Sequence, residues 1–179
     1  MTHAADIYTR LPATEEPMRL PRRMADRPGM VIVDASWGRI QPIRLHPEIE
    51  TIGELELIEH LRAGLPVFDC RRPEAFAAAT IPGARSLPHT ELEHRMHELD
   101  PQRATALFCG GPQCSATAHA VGILLAAGYP ANMLRYYRGG MHDWMTLGLP
   151  TTEEAGGGSV TPSPDGRRQT VTTPPSGRS

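Results

Sequence analysis

The residues best suited to covalent chemistry lie at 109–115, where Cys109, Gly110, Gly111, Pro112, Gln113, Cys114 and Ser115 follow the apolar run Ala104, Thr105, Ala106, Leu107 and Phe108. The thiolate is the nucleophilic form of cysteine, so the surroundings matter through how well they stabilise an anion. Two adjacent glycines allow backbone conformations closed to other residues, and successive N–H groups can then turn inward as an anion-binding concavity. A helix starting behind the loop would add its positive end. The pattern fits a nucleophilic Cys109 with a thiol that ionises easily, an anion pocket, or both. It fits as well a Cys109 that is one more small apolar residue ending a buried strand, because free cysteine is among the most buried residue types. Spacing alone leaves these open.

The neighbouring residues carry the same ambiguity. Cys114 could form a disulfide with Cys109, or point inward as packing. Cys70, after another apolar run, reads as core. Three cysteines are too few for a disulfide framework, so reduced thiols are expected. A zinc site from Cys109, Cys114 and His119 lacks the second ligand pair a tetrahedron needs, and no metal or cofactor is expected. His89, His119 and His142 could reach a pocket mouth, although surface or satisfied histidines are the commoner case. Trp144 with Met141 and Leu147 reads as a core stripe, and Asp143 with the carboxylates of 92–100 as a solvated face.

The elements that must position the loop alternate between strand and helix. An apolar run at 30–33 precedes Thr51, Ile52, Gly53 and Glu54, a capping box predicted to open a helix with Leu55, Ile58 and Leu61 on one face and a stop at Gly64. A strand is predicted at 66–69, a short helix from Pro73, and a turn at Ile81, Pro82, Gly83 and Ala84. A second capping box, Thr90 to Glu93, predicts a helix ending near Leu99. A strand at 104–108, a helix at 118–128, a strand at 132–136 and a last short helix from Met141 complete the pattern. Strands spaced by helices of about ten residues imply right-handed crossovers and a parallel sheet covered on both faces, hence an α/β class. In such sheets ligands bind beyond the carboxyl ends of the strands, where Cys109 falls.

The 179 residues leave room for one domain and tails: an arm over 1–28, a domain over 29–150, and a tail over 151–179 whose polar composition predicts disorder. All 18 basic residues are Arg. The absence of lysine excludes Schiff-base chemistry, pyridoxal phosphate anchoring and the phosphate-gripping Lys of a Walker loop. A formal net charge of -2 gives no general attraction to nucleic acid or anionic lipid. With no signal-peptide core and no apolar stretch long enough to span a bilayer, a cytoplasmic location is expected.

Over residues 51–150 the chain resembles the rhodanese family. Asp69, Arg71, Pro73 and Phe76, followed by Ile81, Pro82, Gly83 and Ala84, are similar to the family's first signature. Cys109 matches its active cysteine, and Gly139, Gly140, Trp144, Gly148 and Pro150 match its third motif. The resemblance implies a three-layer fold with a central parallel sheet flanked by helices. It also implies a sulfurtransferase that carries sulfane sulfur as a persulfide on Cys109, taken from a small donor and passed to a thiol, to cyanide or to a protein acceptor. It places Asp69 and Arg71 as scaffold behind the loop, and Gly110, Gly111, Pro112, Gln113, Cys114 and Ser115 in the substrate loop. Two departures stand out. Ala79 and Thr80 replace the usual Gly-His, a change expected to affect packing of that turn. Cys114 stands where catalytic members often carry an Arg that attracts thiosulfate, similar to a subgroup with a second loop cysteine, and without an Arg in the loop phosphatase chemistry is not expected. A non-catalytic binding module and a Cys109/Cys114 dithiol switch are the alternatives.

Overall fold

The structure, a computed structural model, describes residues 21–27, 30–32 and 40–152. Near the N-terminus β1 (Arg22–Arg23) and β2 (Val31–Ile32) pair antiparallel with each other and stand apart from the main sheet. The run predicted at 30–33 therefore does not open the α/β pattern. Its described part pairs locally with two residues of the expected arm, and Val33 and most of 1–28 lie outside the described residues.

The main sheet begins instead with β3 (Glu50–Ile52). The capping signal at Thr51 yields to sheet pairing, because Ile52 is 7% exposed and sits opposite Tyr137 in a parallel ladder. The Thr51 hydroxyl donates to the Ile43 carbonyl at 2.6 Å. Helix α1 (Glu54–Arg62) is capped two residues later than predicted, with the Gly53 N–H donating to the Glu56 carboxylate at 3.0 Å. Its buried face is set by Leu57, with Ile58 and Leu61 packed beside it, while Leu55 is 74% exposed.

Strand β4 (Val67–Asp69) leads to α2 (Pro73–Ala78), which starts on Pro73, and then to the predicted turn, where Gly83 takes a left-handed φ of 86°. A short strand not predicted, β5 (Arg85–Ser86), precedes α3 (Leu92–Arg95). The Thr90–Glu93 capping box does not form. Glu91 occupies the cap position and holds Arg95 at 2.9 Å, with Glu98 on the same guanidinium at 2.6 Å. Then follow β6 (Thr105–Phe108), α4 (Ala116–Ala126), β7 (Leu134–Tyr137) and α5 (Gly140–Thr146).

The five strands run parallel in the order β3-β7-β6-β4-β5, so β6 is central. Alternation along each strand feeds two cores. Leu107 and Tyr136 face Leu92 of α3 and Val121 and Leu124 of α4, whereas Phe108 and Tyr137 face Leu57 of α1 and Met141 and Trp144 of α5. This is the three-layer α/β arrangement. Asp69, Phe108, Tyr137 and Ile52 stand side by side at the carboxyl edge, which aligns the loops after four strands.

The third motif closes the sheet from below. Trp144 is 3% exposed and its indole N–H donates to the Pro150 carbonyl at 2.7 Å, but Leu147 is 62% exposed and leaves the predicted stripe. The domain continues past 150, since Thr152 and Thr80 exchange two backbone hydrogen bonds of 2.9 Å. Residues 153–179, the rest of the predicted tail, lie outside the described residues. No described helix is long and apolar enough to cross a membrane.

Candidate active site at the end of the central strand

Cys109 follows β6 directly and is 2% exposed. Its backbone is fixed from α5, because the Met141 N–H donates to the Cys109 carbonyl at 3.0 Å and the His142 N–H to the Gly110 carbonyl at 2.9 Å. That approach needs glycine twice. Gly140 has φ 57°, and a Cβ there would overlap the Cys109 carbonyl oxygen; Gly111 has φ 148°, and a Cβ there would come within 2.7 Å of the His142 Cβ. The loop then turns on a Cys114 N–H to Gly111 carbonyl bond of 2.9 Å and enters α4 through Ser115.

The two loop cysteines are in contact. The Cys109 thiol donates to the Cys114 carbonyl at 3.4 Å. Burial pushes the Cys109 thiol well up, and the bond with Cys114 adds to this, while the Thr117 hydroxyl and N–H pull the other way. Cys114 is lowered to about 7, first by the hydrogen bond from Cys109 and then by the backbone N–H groups of Ala116 and Gly110, against the cost of its burial. The pair thus holds one easily ionised thiol, with the lowered value on the Cys114 side and burial acting against the Cys109 side. The amide donors anticipated there come from Gly110, Ala116 and Thr117.

Cys70 is fully buried in the same core, and burial pushes its thiol up. The Thr117 hydroxyl, with no nitrogen or oxygen partner among the described residues, bears on the sulfurs of both Cys70 and Cys109. Tyr136 was not anticipated. Its hydroxyl is buried without a partner among the described residues, and it lies within electrostatic reach of Cys109 and Cys114. Its place on the central core face follows from the register of β7, which no local motif marks.

Asp69 and Arg71 form a fully buried ion pair below the loop. Arg71 Nη2 lies 2.6 Å from the Asp69 carboxylate, and its Nε donates to both carboxylate oxygens at 2.9 and 3.0 Å. The Ala79 carbonyl takes a further bond from Nη2. Thr80 does more than pack the turn, since its hydroxyl donates to Asp69 at 3.0 Å. Removing one partner of such a pair would strand a buried charge at a cost of about 3–5 kcal/mol. A second contact missed in the sequence is Gln41, whose N–H donates to the Pro112 carbonyl at 2.7 Å while its own carbonyl accepts from Arg138.

The histidines separate. His89 stands at the pocket beside Cys114, and its ring lies 5.6 Å from that of His119, which lines a neighbouring groove. His142 is buried at the start of α5, 2.8 Å from Asp143. No group of three or more His, Cys, Asp or Glu side chains among the described residues is placed to hold a metal ion.

A parallel α/β domain whose central strand delivers a buried cysteine pair into a glycine-bearing loop is the class that fold and site define. Residues 54–147, more than half of the chain, match the family of rhodanese-like domains, and the chain belongs to that family. It is 35% identical over 107 residues to an HTH-type transcriptional regulator of Mycobacterium tuberculosis, covering 59% of this chain and 46% of that protein. The chain thus spans less than half the length of that relative. Among solved structures, a thiosulfate sulfurtransferase from Pseudomonas aeruginosa superposes with a TM-score of 0.50 at 27% identity, over 59% of this chain and 20% of that one. A Bacillus halodurans protein, BH2092, superposes at 0.53 with 21% identity over 59% and 77%, a likeness of fold.

Proposed function

We propose that this domain is a sulfurtransferase that carries sulfane sulfur as a persulfide on Cys109, with Cys114 as the thiolate beside it. The observation that carries this reading is the hydrogen-bonded cysteine pair at the end of the central strand, with one of its two thiols lowered to about 7. The pair holds a sulfur anion near neutrality without a separate general base, and sulfane transfer asks for little more. The 27% identity to a thiosulfate sulfurtransferase supports the same class of reaction. A small donor and a thiol, cyanide or protein acceptor are the substrates that fit.

The nearness of the two loop cysteines, with the Cys109 thiol on the Cys114 carbonyl, also favours a second reading, a dithiol switch. A persulfide on Cys109 and the Cys114 thiol can yield the Cys109–Cys114 disulfide and hydrogen sulfide, with the sulfane sulfur as the oxidant. Similarity to a transcriptional regulator fits a domain that reports on sulfur status. Intact-mass measurement after incubation with a sulfur donor separates the readings. One added sulfur that cyanide removes is the result expected for transfer. Loss of two hydrogens with no stable sulfur adduct, reversed by a reducing thiol, indicates the switch.

A further inference from the structure

A threonine in a helix ordinarily returns its hydroxyl to the backbone carbonyl three or four residues back. Thr117, in the first turn of α4, does not. Its hydroxyl is buried with no nitrogen or oxygen partner among the described residues, and the Cys114 carbonyl three residues back accepts the Cys109 thiol instead, at 3.4 Å. Thr117 is fully buried and opens the inward stripe of Thr117, Ala120, Val121 and Leu124 at helical spacing. Side chains of a helix lean toward its N-terminus, so this one leans toward the carboxyl edge of the sheet, where β4 and β6 end. Two sulfurs lie there. The parallel ladder pairs Phe68 with Leu107 and Asp69 with Phe108, and the Cys70 N–H extends it by donating to the Phe108 carbonyl at 2.8 Å. Cys70 and Cys109 are therefore cross-strand neighbours, their backbones about 4.8 Å apart, with both side chains in the core that holds Ala120, Val121 and Leu124.

We propose that Thr117 is a positioning residue of the cysteine site, accepting the Cys70 S–H and donating its own O–H to the Cys109 sulfur whenever that sulfur is an anion. A buried hydroxyl without a partner carries an uncompensated desolvation cost, and a sulfur anion beside it removes that cost. Burial pushes the Cys70 thiol up, so Cys70 keeps its proton, offers it to the threonine oxygen and leaves the threonine O–H for Cys109. This deepens the sulfur-transfer reading and rests on it for the reaction served. In loading, the Cys109 thiolate attacks the sulfane sulfur of a donor such as thiosulfate; the donor's S–S bond breaks with its electron pair on sulfite, and the persulfide anion forms on Cys109. In release, an acceptor thiolate attacks the outer sulfur and departs as its own persulfide, and the electron pair of the broken S–S bond returns to Cys109. The Cys109 sulfur is thus an anion before loading and after release, and the same hydroxyl serves both steps.

The test isolates Cys109 as the loop thiol in Cys114→Ser and adds either Thr117→Val, which removes the hydroxyl at nearly constant shape, or Thr117→Ser, which keeps it. Alkylation of Cys109 by iodoacetamide is followed by peptide mass at a pH below its midpoint, where the rate is proportional to the thiolate fraction. A hydrogen bond to a charged group corresponds to a shift of about one pH unit, so the expected result is alkylation about tenfold slower with valine and within about twofold with serine. Both chains should melt like Cys114→Ser itself. Equal rates with threonine and valine overturn the role, and so does equal slowing by valine and serine, which traces the effect to shape and not to the donor. With Cys114 intact, single-turnover loading from thiosulfate or 3-mercaptopyruvate should slow about tenfold in Thr117→Val, and unchanged loading likewise overturns the role. If the parent loads sulfur from no donor, the transfer reading fails, and the alkylation rates still decide what Thr117 does.

Discussion

Burial withdraws Cys109 from water and pushes its thiol up, while the hydrogen bond from Cys109 and the Gly110 and Ala116 amides hold the Cys114 thiol at about 7. The first proton to leave the pair therefore leaves near neutrality, and the second is held to much higher pH. Alkylation of the pair by iodoacetamide should rise with pH through about 7 and then level, because the thiolate is the reacting form and lies on the high-pH side. In Cys114→Ser the midpoint should move upward, since the remaining thiol is the one that burial raises; an unmoved midpoint would assign the low value to another residue. The same variants divide the proposed chemistry. Cys109→Ser should load no sulfur, because a hydroxyl neither ionises near neutrality nor bonds sulfane sulfur. Cys114→Ser should load it and hold it longer without added thiol, having lost the internal route to a disulfide. Single-turnover loading and decay, read by mass, check both, and parent-rate loading of Cys109→Ser would shift the nucleophile to Cys114.

At the scale of elements, the loop is held against the start of α5 by a close approach that glycine permits at Gly111 and Gly140. Gly140 begins α5 at φ 57° against the Cys109 carbonyl and the Gly111 backbone, so Gly140→Ala combines a left-handed alanine with a steric overlap. The strain alone is about 1–2 kcal/mol. The expected outcome is a Tm lower by several degrees together with slower sulfur loading, read by thermal unfolding and by mass; a parent-like melt would mean that α5 can slide away from the loop at little cost. Much of this architecture was legible in the chain. The β4, β6 and β7 strands, α2, α4 and α5 all follow from apolar runs closed by glycine or opened by proline, and Cys109 directly follows the β6 strand as its place in the sequence implied. What was not legible is set by long-range pairing. Ile52 joins the sheet through Tyr137, which overrides the capping signal at Thr51, and Gln41 reaches the loop only through its backbone. The direction of the two thiol shifts likewise depends on which amides face which sulfur, and no spacing records that.

For the whole molecule, the site is tied to the segment at 144–152 through Thr80. Its hydroxyl donates to Asp69, the partner of Arg71, and its backbone exchanges two hydrogen bonds with Thr152. Trp144 adds a second anchor in the same closing segment by donating to the Pro150 carbonyl. The described closing segment of the domain therefore runs through Thr152. A chain ending after Thr152 keeps both Thr80 bonds and the full closing segment, and its Tm and sulfur loading should match those of the parent. A chain ending after Pro150 keeps the tryptophan anchor but loses the two backbone bonds. At about 0.5–1.5 kcal/mol net for each bond, the cost is about 1–3 kcal/mol. In a domain of this size that lowers Tm by about 5 °C or more. Because Thr80 also positions Asp69, loading should slow in the shorter chain and not in the longer one. Thermal unfolding and single-turnover loading of the two truncated proteins make the comparison, and equal behaviour of both would show that Thr80 holds its place without the Thr152 bridge.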